Sequence, residues 1–188
     1  MRGRCFLWLG CLKILKMKIY VISGGPGTGK TSVINELGKE FKILPEAARF
    51  LGENDKRFKG KSAEETDKKE FQDAVFEAQK KQIETLKDDK IVFSDRGIGD
   101  TIAYYKINGM NVPKEVSDYS RKFRYSGIFI MNSLNFYEKD DFRQETEEKQ
   151  KKIHEQIIAT YKKLGYKIIF VPFMSVEDRV RFIKERVF

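Results

Sequence analysis

The sequence predicts a three-layer α/β/α sandwich around a five-stranded parallel sheet, on three observations. Short apolar runs bounded by turn residues recur at 18–23, 41–44, 90–94, 127–131 and 166–171, with longer amphipathic stretches between them; that is a strand–helix alternation. The runs are continuous instead of alternating, so each strand is covered on both faces, as in parallel sheets joined by right-handed helical crossovers. The four prolines, Pro26, Pro45, Pro113 and Pro172, fall at loops or element boundaries, where a fixed φ and a missing N–H interrupt no hydrogen-bond ladder.

The first strand, 18–23, runs into Gly24-Gly25-Pro26-Gly27-Thr28-Gly29-Lys30-Thr31, and a helical stretch over 29–40 follows. A loop of this pattern needs glycines so that backbone N–H groups turn inward on a β-phosphate, a lysine that reaches the β and γ oxygens, and a hydroxyl for Mg²⁺. Gly24 and Gly29 frame it, Gly25, Gly27, Thr28 and Ser32 complete the cradle, Lys30 is the phosphate lysine and Thr31 the metal hydroxyl. The helix behind the loop aims its positive end at the anion. A strand in front and a helix behind separate this loop from a chance glycine-rich turn, so the expected class is a P-loop NTPase of nucleoside- or nucleotide-kinase type. Its expected ligands are Mg²⁺ and ATP, with GTP as the alternative.

The second strand, 41–44, delivers Pro45-Glu46-Ala47-Ala48-Arg49 to the same edge of the sheet, where ligands of open α/β folds collect. Glu46 is suited to take the proton of an attacking hydroxyl, and Arg49 to contact the substrate; the plainer reading makes Glu46 a cap on the next helix. A long Lys/Glu-rich helix is expected over 63–87. The third strand ends in Asp95, the second Mg²⁺-organising acid, with Arg96 beside it to meet an acceptor phosphate or steady the loop. The plainer reading of Asp95-Arg96 is a turn with a local ion pair. Asp100 lies one to two helical turns on, within reach of acceptor hydroxyls, whereas Tyr104 and Tyr105 read as core residues.

After the fourth strand, 132–143 carries Lys139 and Arg143, in the place where a small kinase closes a cationic lid over the transferred group; the bland alternative is an exposed polar loop. A helix over 145–164 stops at Gly165, a good C-cap. His154, the single histidine, sits in it among Lys and Glu and reads as a surface residue. Beyond the fifth strand, backbone groups around Pro172-Phe173-Met174 are placed to read a purine edge, and Ser175 with Asp178 forms a capping box for the last helix.

With 188 residues, 40% hydrophobic and 35% charged, the chain suits one folded domain. The net charge of +9 is scattered along helices that also carry acids, and no nucleic-acid reader motif accompanies it. Arg2, Arg4, Lys13 and Lys16 precede Met17; without them the 37 Lys and Arg become 33 against 28 Asp and Glu. Cys5 and Cys11 lie in the same stretch, at no metal or redox spacing. Residues 1–16 are therefore read as an extension and 17–188 as the domain, with Met17 leading into the first strand. The apolar run 5–12 is interrupted by Lys13 and is too short to span a bilayer, so a cytoplasmic protein with no membrane partner is expected.

Switch-GTPase motifs are missing: Asp95-Arg96-Gly97-Ile98-Gly99 has the wrong spacing for Asp-x-x-Gly, and no Asn-Lys-x-Asp base reader follows. The set formed by the Gly24–Thr31 loop, Pro45-Glu46-Ala47-Ala48-Arg49, Asp95-Arg96-Gly97, Asp140-Asp141-Phe142-Arg143 and Tyr161-Lys162-Lys163-Leu164-Gly165-Tyr166 resembles a family of small P-loop ATPases with AAA-type domains. That family is related to the ribosylnicotinamide kinase domain of the bacterial NAD regulator NadR, and the resemblance covers nearly everything from Met17 onward. Glu46, Asp95, Arg96 and Arg143 also look like deoxynucleoside-kinase positions, which implies a base, metal and phosphate contacts, and a lid arginine. The lid departs from that pattern, with one arginine in place of a cluster. The resemblance implies phosphoryl transfer from ATP to a nucleoside-like hydroxyl. Because the family includes eukaryotic members that look like GTP-binding trafficking factors, the alternative is a regulatory NTPase with slow hydrolysis and a protein partner.

Overall fold

The computed structural model describes residues 18–61, 65–87, 91–132 and 144–188; the extension 1–16 and the lid positions Lys139 and Arg143 lie outside them. The elements run β1 (Lys18–Ser23), α1 (Lys30–Leu37), β2 (Lys42–Leu44), α2 (Ala47–Asn54), α3 (Lys68–Glu84), β3 (Ile91–Asp95), α4 (Ile98–Ile107), α5 (Lys114–Lys122), β4 (Gly127–Met131), α6 (Gln144–Lys163), β5 (Ile168–Val171) and α7 (Val176–Lys184). The five strands form one parallel sheet in the order β2-β3-β1-β4-β5. This is the predicted α/β class, with helices on both faces.

The continuous apolar strands split their side chains between two cores. Ile19, Val21, Val92, Ile128 and Ile130 face Phe76 and Ile83 of α3, Ile98 and Ile102 of α4, and Ile153, Ile157 and Tyr161 of α6. Tyr20, Ile22, Phe93, Phe129 and Met131 face Val33 and Leu37 of α1 and Val180 and Ile183 of α7. Each fully buried Leu, Ile or Phe contributes about 1.5–3 kcal/mol, so the two layers jointly fix the register. That register matters for the site, because Ile22 of β1 lies opposite Asp95 of β3 and places the loop after β1 beside the Asp95 carboxylate.

Local chemistry sets the element ends. Helix α7 starts as expected, with Ser175 Oγ accepting from Asp178 N at 3.1 Å. Helix α3 starts at Lys68, later than 63, because Asp67 takes the N-cap and its carboxylate accepts from Glu70 N at 2.8 Å. Helix α1 stops at Leu37, short of 40, where Gly38 supplies the C-cap. Helix α5 is polar and buries only Val116 and Ser120, which is why its stretch carries no clear apolar pattern. Among the described residues no helix is long and apolar enough to cross a membrane.

Candidate active site

The loop between β1 and α1 turns on glycines. Gly24, at φ 135°, is held so close to β4 that a Cβ there would sit 2.8 Å from the Met131 carbonyl oxygen; only glycine fits both the angle and the approach. Gly27 and Gly29 also have positive φ, and Gly29 is the N-cap of α1. Thr28 is buried and Thr31 and Ser32 are exposed on the first turn of α1. The Lys30 ammonium is buried in the loop, donating to Gly25 O at 2.6 Å and Thr28 Oγ1 at 3.2 Å. Burial, reinforced by the Arg96 charge, lowers its pKa to about 8 against the opposing pull of Asp100, Asp95 and Glu46. A buried ammonium with carbonyl and hydroxyl partners is a cation prepared for an anionic ligand.

Arg96 is the hub on the opposite side of the loop. It is the one non-glycine described residue with positive φ, 68°, and its backbone is over-determined by Arg96 N donating to Ile22 O at 3.1 Å and Ser94 Oγ donating to its carbonyl at 2.6 Å. Its guanidinium donates to Glu46 Oε1 at 2.6 Å, Asp100 Oδ1 at 3.3 Å and Gly24 O at 3.4 Å, tying β2, β1 and α4 together. Burial works against the charge, but Tyr104, Asp100 and Glu46 outweigh it and hold the Arg96 pKa above the usual arginine range. The local Asp95–Arg96 ion pair of the plainer reading is not formed among the described residues. Glu46 does stand at the N-cap of α2, yet its side chain makes no capping bond; the carboxylate is committed to Arg96, with Arg49 3.8 Å from its second oxygen.

Asp95 is 8% exposed and its Oδ1 has no hydrogen-bond partner. Burial, with the nearby Glu46 charge, raises its pKa to about 6, while Arg96 and Lys30 pull the other way. An orphaned buried carboxylate oxygen on a residue that lines the same groove as Thr31 fits a divalent cation. Among the described residues no cluster of three or more acidic, His or Cys side chains forms a cage for one; a pair of protein oxygens completed by phosphates is the usual Mg²⁺ arrangement.

Asp100 is only 1% exposed and takes four donors, Ser23 Oγ at 2.5 Å, Tyr161 OH at 2.7 Å, Gly97 N at 3.0 Å and Arg96. Its oxygens are thus filled by the protein, and it anchors α4 and α6 to the loop. Two cavities meet at Glu46. One, about 470 Å³, runs along α1 from Thr31 and Asp95 to Arg49 and Phe50. The other, about 210 Å³, is bounded by Glu46, Arg96, Phe71, Gln72, Asp100 and Tyr104. Lys30, Glu46, Asp95, Arg96 and Asp100 therefore gather at one locus, whereas the Arg49 side chain is 55% exposed on the outer wall. Tyr105 is a core residue as expected; Tyr104 instead lines the smaller cavity, its ring 5.8 Å from the Arg96 guanidinium.

His154 is not a surface residue. Its Nδ1 accepts from Gly25 N at 3.0 Å, and α6 packs so tightly there that a Cβ on Gly25 would meet His154 Cβ at 3.1 Å and the Gln150 carbonyl at 3.2 Å. Burial and the Lys30 charge push the imidazole pKa down, which keeps Nδ1 free to accept. Across the loop, Arg179 of α7 donates from Nη1 to Thr28 O at 3.0 Å. Neither partner is legible in sequence, since the contacts span 129 and 151 residues; the one available signal is an isolated histidine on the flank of the Ile153–Ile157–Tyr161 stripe.

The AAA domain family matches residues 19–179, and no curated protein sequence matches the chain. Among solved structures it is similar to NadR protein in complex with NR, with TM-score 0.65 and 20% identity over 94% of this chain and 52% of that one. It is similar to thymidylate kinase from Ehrlichia chaffeensis, with TM-score 0.63 and 13% identity over 92% and 99%. Deoxyadenosine kinase from M. mycoides with products dCMP and a flexible dCDP bound gives TM-score 0.61 and 15% identity over 90% and 98%. At these identities the likeness is one of fold. The chain spans about half the length of the NadR structures it matches. With its glycine loop, parallel sheet and matched span, the chain belongs to the AAA domain family of P-loop proteins and has a kinase-like fold.

Proposed function

We propose that this protein is a Mg²⁺-dependent small-molecule kinase that moves the γ-phosphoryl of ATP to a hydroxyl of a nucleoside-like acceptor. One observation carries the reading: Glu46, fixed by Arg96, borders both the groove that holds Thr31 and Asp95 and the closed cavity lined by Phe71, Gln72 and Tyr104. A carboxylate between a phosphate-and-metal side and a pocket with two aromatic rings and an amide is what positions a hydroxyl for in-line attack.

The Gly25–Ser32 backbone and Lys30 take the triphosphate. Thr31 and Asp95 would hold Mg²⁺, which would supply charge neutralisation there. Arg96 orients Glu46. The acceptor oxygen bonds to the γ-phosphorus as the bond to the β–γ bridging oxygen breaks, its proton passes to Glu46 Oε2, and ADP leaves with the bridging oxygen. Arg143 is assigned to the developing charge, Arg49 to the outer rim, and Asp100 to supporting Arg96 and α4.

Charge in the smaller cavity selects the acceptor class. Its single cation among the described lining residues is Arg96, which already faces Glu46 and Asp100. A phosphate monoester there meets two carboxylates and no free cation, whereas a neutral or cationic nucleoside meets no such repulsion. Replacing Glu46 by Gln tests the assignment: nucleotide affinity stays within about twofold and transfer falls by roughly 10²–10⁴. Equal transfer by wild type and Glu46→Gln would remove Glu46 from the chemistry.

A further inference from the structure

The donor-side reading gives the polyphosphate one lysine, and the structure holds a second buried cation beside the loop with no acidic partner among the described residues. Arg179 is 3% exposed. One N–H reaches the Thr28 carbonyl in the middle of the phosphate loop; Nε and Nη2 have no hydrogen-bond partner. The Phe173 ring lies 5.2 Å from the guanidinium carbon, and no carboxylate is within ion-pair distance of it among the described residues. A buried guanidinium with unfilled donors and no counter-charge is among the costliest arrangements in a protein interior. Burial alone lowers its pKa, with no opposing anion. Buried arginines that serve packing are paired, as Arg96 is with Glu46 and Asp100. Arg179 is left with the loop backbone and the Phe173 ring.

We propose that Arg179 is a second cation of the phosphate site: a positioning residue that holds the loop through Thr28 and whose charge finds its counter-charge when a polyphosphate chain occupies the loop. The proposal rests on the reading of Gly24–Thr31 as a polyphosphate cradle and is independent of the acceptor. It implies opposite signs for stability and binding, because removing an unpaired buried charge relieves the ligand-free fold while the ligand loses an attraction.

The test uses inorganic Mg-tripolyphosphate, which has no base, titrated calorimetrically into full-length wild type, Arg179→Met, Arg179→Lys and Lys30→Met, with the ligand-free thermal midpoint of each. Arg179→Met is expected to weaken binding about tenfold or more, as one charge some ångströms behind the loop requires, with a midpoint no lower than wild type. Arg179→Lys, which keeps the charge, is expected within about threefold of wild type, and wild-type binding falls more steeply with salt than that of Arg179→Met. If Arg179→Met does not fold, Arg179→Gln takes its place with the same expectation. Binding by the uncharged variant within about twofold of wild type overturns the proposal, as does an Arg179→Lys loss equal to that of Arg179→Met. If wild type fails to bind and Lys30→Met changes nothing, the cradle reading itself falls, which is a different result from an Arg179 failure over an intact Lys30 effect.

Discussion

At Asp95 two demands oppose each other. The carboxylate is buried beside Glu46 without a partner for Oδ1, and its pKa of about 6 lies above the ordinary aspartate value. The folded protein therefore binds a proton that the unfolded chain has already lost between about pH 4 and 6, so this residue's contribution to stability falls as pH rises through that window. The penalty at pH 7 is about 3 kcal/mol. Asp95→Asn is expected to raise the ligand-free melting temperature at pH 7, with the gain shrinking toward zero at pH 4, and to abolish the Mg²⁺ dependence of nucleotide affinity. Melts across pH 4–8 check the first, and titrations with and without Mg²⁺ the second. His154 runs the other way. Its pKa is lowered by burial and by Lys30, so the neutral ring that accepts from Gly25 persists below the ordinary histidine value of about 6.5, and the contact is lost as pH falls further, through the lowered value of the folded state. His154→Leu should weaken nucleotide binding about fivefold, the worth of one hydrogen bond. His154→Asn, which keeps an acceptor, should bind like wild type at neutral pH and lose less affinity than wild type on acidification. The Asp95 effect is common to both and cancels in their ratio. Lys30, Thr31, Glu46 and Asp95 are legible in sequence because local spacing after a strand defines them. His154, Arg179 and the Ser23 and Tyr161 donors to Asp100 are not, since their partners are set by packing between segments far apart in the chain.

Helix ends and helix contacts carry their own tests. Gly25 is small because α6 crosses it closely. Gly25→Ala should force α6 and the loop apart, lowering both melting temperature and nucleotide affinity. Ser175→Ala removes the cap of α7 and should cost about 1 kcal/mol in denaturant unfolding. The strands were legible to within two residues, since continuous apolar runs between breakers leave little freedom. Helix starts were less so: Asp67 caps α3 four residues after the expected start, and a Lys/Glu-rich run reads as helix on either side of such a cap. The polar α5 shows that a helix held by a few contacts leaves almost no apolar period to find.

For the whole molecule, the strand order β2-β3-β1-β4-β5 brings the ends of β1, β2 and β3 to one crevice, and the segments there bring the glycine loop with Lys30, Asp95 and Glu46 together. Sequence pattern gives the parallel sheet but not its order, which follows from pairings between distant segments. The same arrangement makes the lining of the smaller cavity acidic on balance, with Glu46 and Asp100 against Arg96. The most direct test of the central claim is a product-mass screen with Mg-ATP and Mg-GTP over nucleosides, ribosylnicotinamide and nucleoside monophosphates. The prediction is that a nucleoside-type acceptor gains one phosphoryl group in a reaction that needs Glu46, while monophosphates gain none; triphosphate hydrolysis with no phosphorylated acceptor anywhere in the panel would contradict it.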